Sequence, residues 1–142
     1  MTKKSGMILV CLALLLGLMS LAPTGAGAEP KIEWTTTNLY YEVNEDGTPE
    51  NILIIEGYFT NHTDKYINYF YEMNLSATIT TDIGSGYTGT VKGVFRNFEK
   101  QIEPYGKSNH RFRIRNAQII WPVESYEVKR GYVKWKQSDN AG

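Results

Sequence analysis

Residues 67–79, INYFYEMNLSATI, alternate between two sets of side chains along the whole stretch. Ile67, Tyr69, Tyr71, Met73, Leu75, Ala77 and Ile79 share one parity. Asn68, Phe70, Glu72, Asn74, Ser76 and Thr78 share the other. Successive side chains of a strand point to opposite faces, so a period of two marks a strand with one face buried. The pattern assigns Tyr69 and Tyr71 to a core and leaves Phe70 as the one large apolar side chain on the outer face. No long segment places apolar residues at helical spacing. The chain is therefore expected to be all-β.

The remaining sequence divides in the same manner. Residues 32–43 read as a first strand region, closed by Asn44-Glu45-Asp46-Gly47-Thr48-Pro49. Asp-Gly is a hairpin signal because glycine tolerates positive φ. Residues 52–60 form the next strand, with Leu53, Ile55, Gly57 and Phe59 inward, and residues 61–65 make a polar turn. Residues 81–89, rich in Gly, Thr and Ser, read as the most flexible connection. Residues 90–96 and 98–102 suggest two short strands, and Glu103-Pro104-Tyr105-Gly106-Lys107 a turn. Residues 109–115 alternate with His110, Phe112 and Ile114 inward. Residues 126–136 supply the last strand, with a bulge expected at Gly131. About seven short strands separated by turn signals predict an antiparallel β-sandwich of immunoglobulin-like arrangement, with a small closed barrel as the alternative.

The ends set the expected domain boundaries and cellular address. Lys3 and Lys4 precede an apolar run over residues 7–22, and small residues follow at Gly25, Ala26, Gly27 and Ala28. That order is the signature of a signal peptide cleaved after residue 28. The run falls short of a membrane span and meets Pro23, so no span is expected after cleavage. Cys11 lies inside the apolar run rather than at its exit, which argues against a lipoprotein. Removing 28 of the 142 residues leaves 114, enough for one domain over residues 29–136 and a flexible tail over residues 137–142. Cys11 is the only cysteine, so the exported part must rely on its apolar core. Its 13 basic and 15 acidic residues give a net charge of −2 once Lys3 and Lys4 are removed. That balance gives no support to nucleic-acid binding, which depends on neutralising phosphates. The address implied is secreted or extracytoplasmic, in the cell envelope.

The segment IIEGYFTNHTDKYINYFYEMNLSATI, followed by IEPYGKSNHRFRI, resembles the small immunoglobulin-like domains that bacteria export to the cell surface, including FxLYD and SLAP domains. In those domains a strand ends in Asn, a Thr/Ser-Asp-Lys turn follows, and a later Pro-Gly turn introduces a strand ending in Phe-x-Ile or Phe-x-Val. The matching residues are Asn61, Thr63, Asp64, Lys65 and Ile67, then Pro104, Gly106, Phe112 and Ile114. The likeness spans roughly residues 52–115. It departs at the Leu-Tyr-Asp signature, where this chain reads Leu75-Ser76-Ala77. It implies an exported sandwich without catalytic activity.

The residues themselves point the same way. His62 and His110 are the only imidazoles, and the exported part lacks a cysteine nucleophile. No G-x-S-x-G elbow, H-E-x-x-H pair or phosphate-binding glycine motif occurs. Glu56 and Glu72 read as solvent-facing strand residues rather than as an acid–base pair. His110 reads as partly buried rather than as a ligand. Asn44–Gly47 with Glu50 gathers oxygen ligands but lacks calcium-loop spacing, and a charged hairpin explains the same letters. No enzyme activity, metal or cofactor is expected. Asn61-His62-Thr63 and Asn74-Leu75-Ser76 match the glycosylation acceptor pattern and read as chance matches.

Two surface features remain as candidate ligand sites. Arg111, Arg113 and Arg115 project from one face of a strand, with Lys107 in the preceding turn, and guanidinium can grip carboxylate or phosphate in bidentate fashion. The competing reading is a solvated edge whose charge discourages strand addition. Tyr58, Tyr66, Phe70 and Tyr105 fall at outward or turn positions, where rings stack on sugars. A one-residue slip in register would bury several of them. The expected function is an exported, non-catalytic binding or structural module that contacts protein or an anionic wall polymer. The alternative is a protease-inhibitor-like sandwich acting through an exposed loop such as residues 83–89.

Overall fold

The computed structural model describes residues 31–81 and 86–141. The expected signal peptide lies outside these residues. Among them there are six strands and no helix: β1 (Ile32–Val43), β2 (Pro49–Asn61), β3 (Tyr66–Thr80), β4 (Thr88–Ile102), β5 (Lys107–Arg115) and β6 (Ser125–Ser138). They form two three-stranded antiparallel sheets, ordered β1-β2-β5 and β4-β3-β6. The two-sheet, β-sandwich-like architecture expected from the sequence is present. Six strands replace about seven because residues 90–102 lie in one strand. Asn97 takes a φ of 56° within it. Asparagine visits that left-handed region more readily than most residues, so pairing continues through the position where the sequence suggested a break. At the other end of the chain, Gln137 and Ser138, assigned to the tail from sequence, pair with Ile67 and Tyr66.

The inner faces supply the core. Leu53, Ile55 and Phe59 of β2, Phe112 and Ile114 of β5, and Met73, Leu75, Ala77 and Ile79 of β3 are buried together. At Gly57 a side chain would not fit: a Cβ there would stand 2.0 Å from the Thr35 carbonyl oxygen of β1.

The start of β3 corrects the alternation read from sequence. Phe70 is fully buried, whereas Tyr71 is 40% exposed and Tyr69 half-buried. Relative to β6, β3 carries an extra residue between Ile67 and Tyr69, and another between Phe70 and Glu72. Each bulge flips the parity, so the inward series runs Ile67, Phe70, Met73 before returning to steps of two. The chemistry favours this outcome. A buried phenol needs a partner for its hydroxyl, whereas a phenyl ring does not. Phe70 stacks on Phe59 with ring centroids 4.7 Å apart and on Phe98 at 5.0 Å. β6 in turn carries its own extra residue where Met73 and Leu75 face Val133 and Arg130, which places a bulge at the expected Gly131.

Polar side chains fix the two ends. At the end holding the β2–β3 turn, Asn61 is fully buried. Its amide donates to the carbonyls of Lys65 (2.7 Å), Glu103 (3.0 Å) and Ile102 (3.4 Å). Its carbonyl accepts from the Thr63 backbone N–H (2.9 Å) and hydroxyl (2.8 Å). One residue thus joins the β2–β3 turn to the β4–β5 turn. At the opposite end, the buried Tyr41 hydroxyl donates to the Gln118 carbonyl (2.6 Å) and accepts from the Ile120 N–H (3.0 Å). Burial raises its pKa, and the bond from Ile120 partly offsets that shift.

Candidate functional site

The outer face of the first sheet carries the arginine row. Arg111, Arg113 and Arg115 are exposed on β5, as their alternation requires. Two of them meet carboxylates from neighbouring strands. Arg111 lies 3.6 Å from Glu56 of β2 and donates to the Tyr40 hydroxyl at 3.3 Å. Arg113 lies 3.0 Å from Glu42 of β1. Arg115 has no ion-pair partner among the described residues. Lys107 sits over the Tyr58 ring, 5.0 Å from its centroid. Beneath this layer is Ile54, paired in register with Tyr40 on one side and Arg113 on the other. It points away from the core yet is fully buried. The arginine and tyrosine stems cover it, as long amphipathic side chains can while their heads stay in water.

The aromatics expected to act together do not converge. Tyr58 lies half-buried under Lys107 on the first sheet. Tyr66 opens β3 in the second sheet. Tyr105, 71% exposed, occupies the β4–β5 turn with a φ of 56°. Phe70, expected outward, is in the core and offers no contact surface.

The bulges that bury Phe70 bring two other rings outward. On the outer face of the second sheet, Tyr69 and Tyr71 stand in a T-shaped arrangement with centroids 5.2 Å apart. They line a shallow depression of about 720 Å³ together with Asn68, Glu99, Lys100, Gln101 and Lys136. Lys134 sits over the Tyr71 ring at 5.5 Å. The depression therefore combines aromatic faces, ammonium groups and hydrogen-bonding side chains from all three strands of the sheet. Parity alone hid this site, and no Gly or Pro between Ile67 and Glu72 announces the bulges.

A third feature is the side where β4 and β5 face one another. His110 is half-buried there, stacked on Phe98 at 5.2 Å and edge-on to Phe112 at 4.4 Å. Burial, with the nearby charge of Lys100 second, lowers its pKa to about 4. Its imidazole is thus neutral over the physiological range. Lys100 donates to the Asn109 carbonyl, and burial lowers its pKa.

The loop that suggested a metal is occupied by its own bonds. The Asp46 carboxylate accepts from the Thr48 N–H (3.0 Å) and hydroxyl (2.7 Å), which lowers its pKa. Among the described residues no group of His, Cys, Asp or Glu side chains is placed to hold a metal ion. Among them, too, no helix is long and apolar enough to cross a membrane.

Fold and surfaces together define an all-β chain of two three-stranded sheets with a tyrosine-lined depression on one outer face. No protein-family model matches the chain, and comparisons with curated proteins and with solved structures give no match.

Proposed function

We propose that this chain is an exported, non-catalytic module of immunoglobulin-like type that holds an anionic polymer of the bacterial cell envelope on the outer face of its second sheet. The strand orders β1-β2-β5 and β4-β3-β6, reached by repeated crossing between sheets, support the immunoglobulin-like assignment. The N-terminal sequence supports export. The observation that carries the ligand reading is the Tyr69–Tyr71 pair flanked by Lys134 and Lys136. Sugar rings present apolar C–H faces that stack on phenol rings, while phosphate or carboxylate groups along the polymer attract the ammonium groups. Gln101, Asn68 and Glu99 add hydrogen-bonding groups for hydroxyls. The arginine row supports this role less well, because Glu42 and Glu56 already neutralise two of its guanidiniums.

Co-sedimentation with purified envelope at low and high salt tests the reading. A Tyr69→Ser, Tyr71→Ser double variant is expected to lose most binding at low salt. An Arg111→Ser, Arg113→Ser, Arg115→Ser triple variant is expected to keep most of it, and high salt to weaken the wild type through screening. Loss in the triple variant with retention in the double variant would move the site to the first sheet and sink the proposal.

A further inference from the structure

The end of the fold holding the β1–β2 hairpin also holds the end of β3, the starts of β4 and β6, and the loop over residues 116–124. It carries an unusual share of exposed apolar surface. Val43, Tyr87, Ile119, Trp121 and Tyr126 all lie there, each more than a third exposed. Ile119 and Trp121, at 43% and 45% exposed, lie on the loop over residues 116–124. Scattered single exposures need no explanation, but a group of large side chains at one end is the mark of a contact surface.

The loop that presents them is held firmly. The Ala117 N–H donates to the Asn51 carbonyl at 2.8 Å, and Tyr41 bonds both Gln118 and Ile120. The Gln118 amide donates to the Tyr87 hydroxyl at 3.0 Å, and the Glu124 N–H donates to the Thr80 carbonyl at 2.8 Å. Ala117 and Ile120 are buried by this arrangement, and Ile119 and Trp121 are left facing outward. A loop fixed before binding loses little freedom on binding, and tryptophan and tyrosine are the residues that anchor protein interfaces.

The charge at this end selects the partner. Glu45, Asp46, Glu50 and Glu124 lie at the same end as the apolar group. Among the described residues, the basic side chains that β5 brings to this end are Arg113, which is paired with Glu42, and Arg115. An acidic rim repels an anionic lipid surface and an anionic polymer, and attracts lysine and arginine.

We propose that this end is a docking surface for a protein partner presenting an apolar centre ringed by Lys and Arg. The inference stands apart from polymer binding, which uses the outer face of the second sheet around the start of β3. Selection from a random dodecapeptide library displayed on phage, with the full chain as bait, tests it. Enriched peptides are expected to combine a Trp, Phe or Leu centre with Lys or Arg. They are expected to bind an Ile119→Ser, Trp121→Ser variant at least tenfold more weakly, and a Glu124→Lys variant severalfold more weakly. Thermal unfolding of both variants near the wild-type temperature shows that the fold is kept. Enrichment of acidic peptides, or of none that depends on Trp121, overturns the proposal. So does a blue shift of tryptophan emission with phosphatidylglycerol vesicles that disappears in Trp121→Phe, which would make the occupant a membrane. A concentration-dependent dimer in sedimentation, abolished by the double variant, would make it a second copy and overturn the proposal equally.

Discussion

The two outer faces use similar side chains to different ends. On the first sheet, Arg111 and Arg113 meet Glu56 and Glu42, and their stems with Tyr40 bury Ile54. Charge and apolar surface are satisfied within the face itself. On the second sheet, two bulges in β3 turn Tyr69 and Tyr71 outward and leave them beside Lys134 and Lys136. Here aromatic and cationic groups stand together with less internal compensation. The difference comes from register rather than composition. The arginine row lies on β5, which pairs with β2 without a register shift, whereas the bulged start of β3 exposes rings that regular alternation would hide.

The sharpest way to break this comparison is at Phe70. Phe70→Ala is expected to cost about 3–5 kcal/mol, the range for a large aromatic removed from a packed core. Urea unfolding measures it. A cost below about 1 kcal/mol would mean that Phe70 is outside and the tyrosines inside. Ile54→Ala comes next, at about 2–3 kcal/mol by the same measurement, because its cover makes it a second buried site away from the main core. An effect near zero would mean that the arginine layer is open and free to bind.

His110 sets a smaller, pH-dependent effect. Its pKa is lowered in the fold from 6.5 to about 4, so the unfolded chain takes up its proton first as pH falls. The stabilisation is complete above pH 6.5 and is lost between there and about pH 4. With partial solvent access it amounts to on the order of 1–2 kcal/mol. Unfolding followed from pH 7 to pH 4 should show this loss in the wild type and a flatter acid limb in His110→Phe. The smallest effect is predicted for Tyr71→Ser, within about 0.5 kcal/mol of wild type, since the side chain is 40% exposed and its ring meets Tyr69 and Lys134 on the outer face. A larger loss would assign Tyr71 to the fold and weaken its reading as a ligand contact.

Much of the fold was legible because β2 and β5 pair with no register shift over residues 52–60 and 107–115, so strict alternation holds there. Leu53, Ile55, Phe59, Phe112 and Ile114 are all buried as their parity requires. The Asp46-Gly47 hairpin and the Gly131 bulge fall where turn and bulge chemistry place them. Residues 67–72 were misread because nothing in their composition signals a bulge, and the decision rests on packing of Phe70 between Phe59 and Phe98 from other strands. The arginine row was legible in its direction but not in its partners, since Glu42 and Glu56 reach it only through strand pairing. Asn61, Thr63 and Lys65 are drawn into a knot between two turns. Their role is structural. The apolar group at Ile119 and Trp121 left no periodic signal, because it sits on a loop whose direction is set by the hydroxyl of Tyr41.

The most direct test is a titration of the isotope-labelled chain with purified anionic wall polymer, followed by backbone amide NMR. Saturable shifts confined to residues 68–72, 99–101 and 134–136, weakened by salt, are expected. Shifts centred on residues 107–115, or none at any polymer concentration, would contradict that expectation.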